Sequence, residues 1–187
     1  MNKRIQLYAL IALFFGPLLA AWIWFFYFDD VRPDAVNKGD LIEPVVSLAD
    51  LKLHERDAAE SVAPFAGDWF IVLLAPSSCD DACAHALYLT RQVWIRLNKD
   101  ADRVQRVLLA GPDVRYRENE HRDLRVFDTD ANALARFSDA SRPPLAGENR
   151  IYLVDPQGNL MMSYPLDFTP EMLHDDLKRL LRYSDAG

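Results

Sequence analysis

An uncharged segment near the N-terminus constrains this chain more than any other feature of its sequence. Residues 5–28 form a run of 24 amino acids without a charged side chain. A helix of that length crosses a hydrocarbon core of about 30 Å. Two basic residues precede the run and two acidic residues follow it. The positive-inside rule therefore places the short N-terminus in the cytoplasm and the rest of the chain across the membrane.

A cleaved signal peptide is the alternative explanation for the same segment. The apolar region of a signal peptide spans roughly 7–15 residues and ends at a small-x-small cleavage site. Here the last small residues are followed by the bulky run "AAWIWFFYF", and Trp22, Trp24 and Tyr27 resemble an interfacial aromatic belt. The sequence predicts an uncleaved anchor over residues 1–28, in a bacterial inner membrane, with the globular part in the periplasm.

Charge and length limit what the remaining chain can be. The protein has 187 residues and a formal net charge of -7, and it contains no basic tract. Nucleic acid is therefore not an expected partner. Residues 29–40 are polar and include Pro33 and Gly39, which predicts a linker. Residues 41–187 have the length of a single domain.

Short strands alternate with helices in this domain. Continuous apolar runs at 68–76 and 103–111 predict strands buried on both faces. The remaining predictions are a hairpin within 41–53 confined to an edge by Pro44, a helix after residue 79 capped by Ser77 or Ser78, a strand at 124–130, a helix through 131–137, a loop at 138–149, a hairpin at 150–165 and a Thr-capped helix at 169–183. This order predicts an α/β layer domain with a central sheet.

The only two cysteines lie in "SSCDDAC", residues 77–83, where the apolar strand turns into a helix. Cys79 and Cys83 are four residues apart, so they face the same side of a helix. A disulfide between them closes a very short loop and contributes little loop entropy, which argues against a purely structural bond. The pair can be a redox pair, a structural disulfide or part of a metal site.

Opposing electrostatic effects act on this motif. A helix N-terminus stabilises a thiolate at Cys79, whereas Asp80 and Asp81 destabilise it. A cation would offset the two thiolates and the nearby carboxylates together. Two soft thiolates select copper(I), since zinc requires four ligands.

These features together resemble the Sco/SenC family of membrane-anchored, thioredoxin-like proteins that help to assemble the copper centre of cytochrome c oxidase. The resemblance rests on the N-terminal anchor, the strand "DWFIVLLAPSSC" leading into C-x-x-x-C, Asp81 two residues after the first cysteine, and the hairpin "IYLVDPQGNL". It implies a thioredoxin-like fold and assigns Cys79 and Cys83 as the reactive pair and as conditional copper ligands.

Departures from the family pattern put its complete copper site in doubt. Asp80 and Ala84 stand where the family has prolines, and Gly147 stands where it supplies a histidine ligand. Glu148 and Asn149 next to that position are poor copper(I) ligands.

Other candidate ligands in the chain are weaker. His85 is expected to face away from the cysteines, about 200° around the helix from Cys83. His121 lies in the charged loop "RYRENEHRD", and His54 and His174 are expected to be solvated. Met161 and Met162 alternate along a strand, so one of them faces the core.

The leading hypothesis for function is an accessory factor for assembly of a respiratory cytochrome c oxidase. It would act on an oxidase subunit or assembly factor by thiol-disulfide exchange, by transient copper(I) binding, or by both. Cys79 would attack and Cys83 would resolve. A non-catalytic scaffold with a structural disulfide and a general periplasmic thiol-disulfide oxidoreductase are the alternatives, so the sequence leaves enzymatic activity open.

Overall fold

A computed structural model describes residues 3–27, 37–49, 51, 53–56, 61–62, 64–129, 135 and 149–184 of the chain. The chain divides into two compact units, residues 1–36 and residues 37–187. The second unit begins within the predicted linker 29–40, most of which lies outside the described residues.

The first unit contains helix α1, Lys3–Tyr27, which includes Pro17. Every side chain described in it, from residue 4 to residue 23, is exposed. Among the described residues this is the one helix that is long and apolar enough to cross a membrane, over Arg4–Ile23. An uncovered apolar helix matches the anchor that the sequence predicts, by length and composition.

The second unit is built on a mixed sheet, in which the described residues form eight strands in the order β1-β8-β7-β4-β5-β6-β2-β3. The strands are β1 (Asp40–Ser47), β2 (Leu53–Glu55), β3 (Ser61–Val62), β4 (Trp69–Ala75), β5 (Val104–Ala110), β6 (Leu124–Asp128), β7 (Arg150–Val154) and β8 (Asn159–Tyr164). β4 pairs in parallel with β5 and antiparallel with β7. Strand β4 is therefore central and is hydrogen-bonded to a neighbouring strand along each edge.

Both faces of the sheet are covered. Helices α2 (Asp81–Arg96) and α3 (Pro170–Tyr183) bury one face. Leu48, Leu51 and Phe65, which precede β4, contribute to the core on the other face. All seven residues of β4 are buried, which confirms the prediction of a strand buried on both sides.

Several predicted elements are confirmed. These are the strands at 68–76, 103–111 and 124–130, the hairpin of β7 and β8, and the last helix, which has Thr169 at its N-cap position and Pro170 in its first turn. The side chain of Thr169 makes no capping hydrogen bond. The predicted helix 131–137 and loop 138–149 lie almost entirely outside the described residues.

The predicted hairpin within 41–53 is wrong. β1 is an edge strand, as Pro44 indicated, but it pairs with β8, whereas β2 pairs with β3 and β6 at the opposite end of the sheet. The reason is that the segment between β1 and β2 is buried. Leu48 and Leu51 pack in the core on the face opposite α2 and α3, so the chain crosses the sheet instead of folding back along β1.

A buried carboxylate on α3 fixes the start of the second unit. Asp176 accepts hydrogen bonds from the backbone amides of Lys38 and Gly39, at 2.8 and 2.9 Å, and from the Tyr164 hydroxyl at 2.9 Å. Burial and the Asp176 carboxylate raise the pKa of Tyr164, so its hydroxyl remains a donor. One side chain thus joins the segment before β1, the end of β8 and α3.

We expect Asp176→Asn to lower the free energy of unfolding by about 2 kcal/mol, because the amide cannot replace a carboxylate that accepts from three donors. Asp175→Asn, at the exposed neighbouring position, should change it by less than about 0.5 kcal/mol. Urea unfolding of the full-length protein in nonionic detergent, followed by circular dichroism, measures both. Equal stability of the two variants would contradict the role assigned to Asp176.

Candidate functional site

The end of β4 and the start of α2 place the two cysteines. β4 ends at Ala75, residues 76–80 form the turn, and α2 begins at Asp81. Cys79 lies in the turn and Cys83 in the first turn of the helix. Their sulfurs form a disulfide, with Cα atoms 5.0 Å apart. Because Cys79 lies before the helix, its backbone need not be helical, and the short bridge can reach the required geometry.

The two sulfur-bearing residues differ sharply in burial. Cys83 is completely buried and belongs to the core cluster under α2. Cys79 is only half-buried and lines a cleft on the surface. Cys79 is therefore the more accessible of the two residues to an incoming thiolate, while Cys83 is shielded by the protein interior. Sequence spacing alone did not reveal this difference.

Asp80 has a defined structural role in the motif. It is the N-cap residue of α2, and its Oδ1 accepts a hydrogen bond from the Cys83 amide at 3.0 Å. The prediction that Ser77 or Ser78 caps this helix is wrong, because the turn continues for two residues beyond Ser78 before the helix begins. The carboxylate of Asp80 thus satisfies a free amide of the first turn. Asp81 is exposed and lies in that first turn, where its charge suits the helix dipole.

The segment that enters β7 meets the cysteine turn. Asn149 donates a hydrogen bond from Nδ2 to the backbone carbonyl of Ser78, at 3.0 Å. Gly147, which occupies the position of the family's histidine, and its neighbour Glu148 lie outside the described residues. The side-chain amide of Asn149 therefore binds the backbone of the cysteine turn.

The cleft beside Cys79 has a volume of about 640 Å³. Its lining includes Asp80, Asp81, His85, Tyr88, Arg115, Arg117 and His121. His85 is exposed and its ring stacks with that of Tyr88, with centroids 6.4 Å apart. His85 lies at the surface, as expected, and it lines the same cleft as Cys79. His121 shares this cleft as well, although it lies 42 positions after Cys79 in the sequence.

A buried arginine lies beneath α2 next to this cleft. Arg106 on β5 donates to Asp123 at 2.6 Å, to the Leu87 carbonyl at 2.7 Å and to the Thr90 hydroxyl at 3.0 Å. Burial lowers the pKa of His121, and the positive charge of Arg106 lowers it further. The sequence signal for this network was Arg106, a charged residue inside the apolar run at 103–111, and its spacing did not connect it to the cysteines.

Among the described residues, the remaining candidate ligands do not line the cleft beside Cys79. His54 is exposed on β2, and His174 lies on α3 with Nδ1 3.6 Å from Asp175. Met162 is buried and Met161 half-buried, which confirms that one of the two faces the core. In the part of the chain that the structure describes, no three His, Cys, Asp or Glu side chains are grouped to hold a metal ion.

Copper(I) therefore fits this site only in part. Two cysteine sulfurs are the soft donors that copper(I) prefers, and they become available when the disulfide is reduced. Among the described residues no third ligand joins them. The described residues thus offer copper(I) two sulfur donors.

Comparison with known proteins places the chain in a family. It belongs to the transmembrane-like, thioredoxin-like, C-terminal domain family, whose model matches residues 69–184. That stretch contains the cysteine turn and most of the sheet. No curated protein matches the chain.

Solved structures confirm the thioredoxin-like fold. Arabidopsis thaliana ScoI with copper bound is similar at 15% identity, with a TM-score of 0.56 and coverage of 78% of this chain and 99% of that chain. Yeast Sco1 with copper bound gives 14% identity, a TM-score of 0.55 and coverage of 82% and 96%. A thiol:disulfide interchange protein from Chlorobium tepidum TLS gives 14% identity, a TM-score of 0.53 and coverage of 80% and 99%. The predicted likeness to Sco proteins is thus confirmed for the fold.

We expect Asp80→Ala to lower the free energy of unfolding by about 1 kcal/mol, because it removes the acceptor for the Cys83 amide. Asp80→Asn keeps an acceptor oxygen and should remain within a few tenths of a kcal/mol of the wild type. Urea unfolding in detergent tests both variants in the oxidised state. Unchanged stability of Asp80→Ala would show that the cap contributes nothing.

Proposed function

We propose that this protein is a membrane-anchored, Sco-like accessory factor for assembly of a respiratory cytochrome c oxidase, working by thiol-disulfide exchange at Cys79 and Cys83. The observation that carries the proposal is the unequal burial of the two cysteines. A disulfide with one sulfur in a surface cleft and the other in the core has one defined point of attack. A purely structural bond has no need of that exposure.

The exchange follows from this geometry in two steps. A thiolate of a partner dithiol attacks Sγ of Cys79, so that a partner–Cys79 disulfide forms, the Cys79–Cys83 bond breaks and Cys83 leaves as a thiolate. The second partner thiolate then attacks the partner sulfur and releases Cys79. The partner is oxidised to a disulfide, the pair is reduced, and the two partner protons end on Cys79 and Cys83. The reverse sequence oxidises Cys79 and Cys83 again.

Helix α1 supports the location that we propose. Its length, apolar composition and exposed side chains suit a single membrane span, with the second unit on the periplasmic side. A disulfide persists in that compartment and is uncommon in the cytoplasm. The inner membrane and a copper-site subunit or assembly factor of the oxidase are the partners that we propose.

Copper is the second component of the proposal. The reduced pair would hold copper(I) through the two sulfurs before passing it on, with the ion as cargo. The fold shared with two copper-bound Sco structures supports this. The absence of a third ligand among the described residues favours exchange as the primary activity. A structural disulfide and general thiol-disulfide exchange remain the competing functions.

Trapping a partner tests the exchange reaction. Cys83→Ser leaves Cys79 without its resolving thiol, so a mixed disulfide with the partner should accumulate. Cys79→Ser should accumulate little or none, because Cys83 is buried. Membranes from cells that express each variant are alkylated, separated without reductant and analysed by mass spectrometry.

The identity of the trapped protein separates the competing functions. An oxidase subunit or assembly factor supports the proposal, and a broad set of unrelated proteins indicates general exchange. Equal trapping by both variants, or none by either, contradicts attack at Cys79.

Anaerobic titration with copper(I) tests the metal component. The reduced full-length protein in detergent should bind about one ion against a competing chromophoric chelator, because two thiolates select copper(I). A Cys79→Ser, Cys83→Ser double variant is the matched control and should bind none. Equal binding by the two proteins would exclude the cysteine pair as a copper carrier.

A further inference from the structure

The cleft beside Cys79 contains a buried histidine that the exchange reaction leaves without a role. His121 directly follows the short 3-10 turn Glu118–Glu120 and is only 6% exposed. It nevertheless lines the same cleft as Cys79. A buried titratable ring therefore lines the same cleft as the more accessible cysteine.

The two ring nitrogens of His121 lie in different surroundings. Nδ1 is buried and has no hydrogen-bond partner. Nε2 is not among the buried polar atoms that lack a partner, and His121 contributes to the cleft lining. The ring therefore directs Nδ1 towards the interior and Nε2 towards the cleft.

A buried cation determines where the ring carries its proton. Burial and the charge of Arg106 keep His121 neutral at pH 7, with Arg91 acting in the same direction and Asp123 and Glu120 opposing. The Nε atom of Arg106 is itself a buried donor without a partner. A buried guanidinium disfavours a proton on the inner nitrogen and favours Nδ1 as an acceptor. The favoured tautomer then has its proton on Nε2, on the side of the cleft.

We propose that His121 donates a hydrogen bond from Nε2 to the sulfur anion of Cys79 that the second exchange step releases. This inference rests on the proposed exchange function and names the residue that stabilises the leaving sulfur. Asp80 and Asp81 beside the motif destabilise a thiolate. The side chains of Arg115 and Arg117 are exposed at the rim, where solvent screens them. The neutral His121 ring in the cleft wall donates a hydrogen bond that stabilises the Cys79 thiolate, against the destabilising effect of the two carboxylates.

The test measures the reactivity of Cys79 in a Cys83→Ser background. The full-length protein in detergent reacts with 5,5′-dithiobis(2-nitrobenzoate) at pH 7. The Cys79 thiolate attacks one sulfur of the reagent, forms a mixed disulfide and releases nitrothiobenzoate, whose absorbance gives the rate. We expect His121→Leu to lower this rate about threefold, because a tenfold loss of thiolate is partly offset by its greater nucleophilicity.

Two matched variants distinguish a hydrogen bond from packing. His121→Gln retains a donor and should recover at least half of the lost rate. His54→Leu, at an exposed position on β2 outside the cleft, should react like the parent. A rate in His121→Leu equal to the parent, or a rate in His121→Gln as low as in His121→Leu, would overturn the proposal.

A spectroscopic measurement tests the state of His121 independently of the exchange function. The ¹⁵N spectrum of the histidine rings should show His121 neutral and protonated on Nε2 at pH 7. An Nδ1–H ring would overturn the proposal whatever the rates. A Cys79 thiol that does not react with the reagent in any variant contradicts the exchange function itself, and the ring spectrum then still decides the state of His121.

Discussion

Burial of strand β4 on both faces is the constraint on which the rest of this structure depends. Its neighbours β5 and β7 are in register with it along nearly its whole length, with Ala75 opposite Ala110 at the end. Because no residue of β4 can turn outwards, the chain leaves the sheet only after Ala75 and enters the turn that carries Cys79. Helix α2 then packs back over the same strand, which buries Cys83. The position of the cysteine motif is thus a consequence of core packing.

The two acidic residues between the cysteines lie at the start of α2. Asp80 holds the Cys83 amide, so the carboxylate that disfavours a thiolate also fixes the start of α2. The site therefore combines a capped helix start with a half-buried Cys79 at the cleft. The hydrogen bonds of Arg106 lie beneath α2. They join α2 to β5 through the Leu87 carbonyl and the Thr90 hydroxyl. Opening of the disulfide need not loosen the helix that carries Cys83.

Local patterns made the strands, the last helix and the cysteine turn predictable from the sequence. The run at 68–76 is apolar throughout, and "DPQG" at 155–158 specifies a turn. The pairing of β1 with β8 was not predictable, because it depends on where Leu48 and Leu51 are buried. The choice of Asp80 over Ser77 or Ser78 as a cap depends on the length of the turn. The proximity of His121 to Cys79 arises from tertiary structure that spacing does not encode.

The central claim is that Cys79 and Cys83 form an exchanging pair and not a permanent bond. A redox titration of the full-length protein in detergent, with dithiothreitol or glutathione buffers and alkylation read by mass spectrometry, tests it most directly. We predict a midpoint potential between about -270 and -120 mV, the range of known exchanging pairs. A midpoint below about -300 mV, typical of structural disulfides in secreted proteins, would contradict the account.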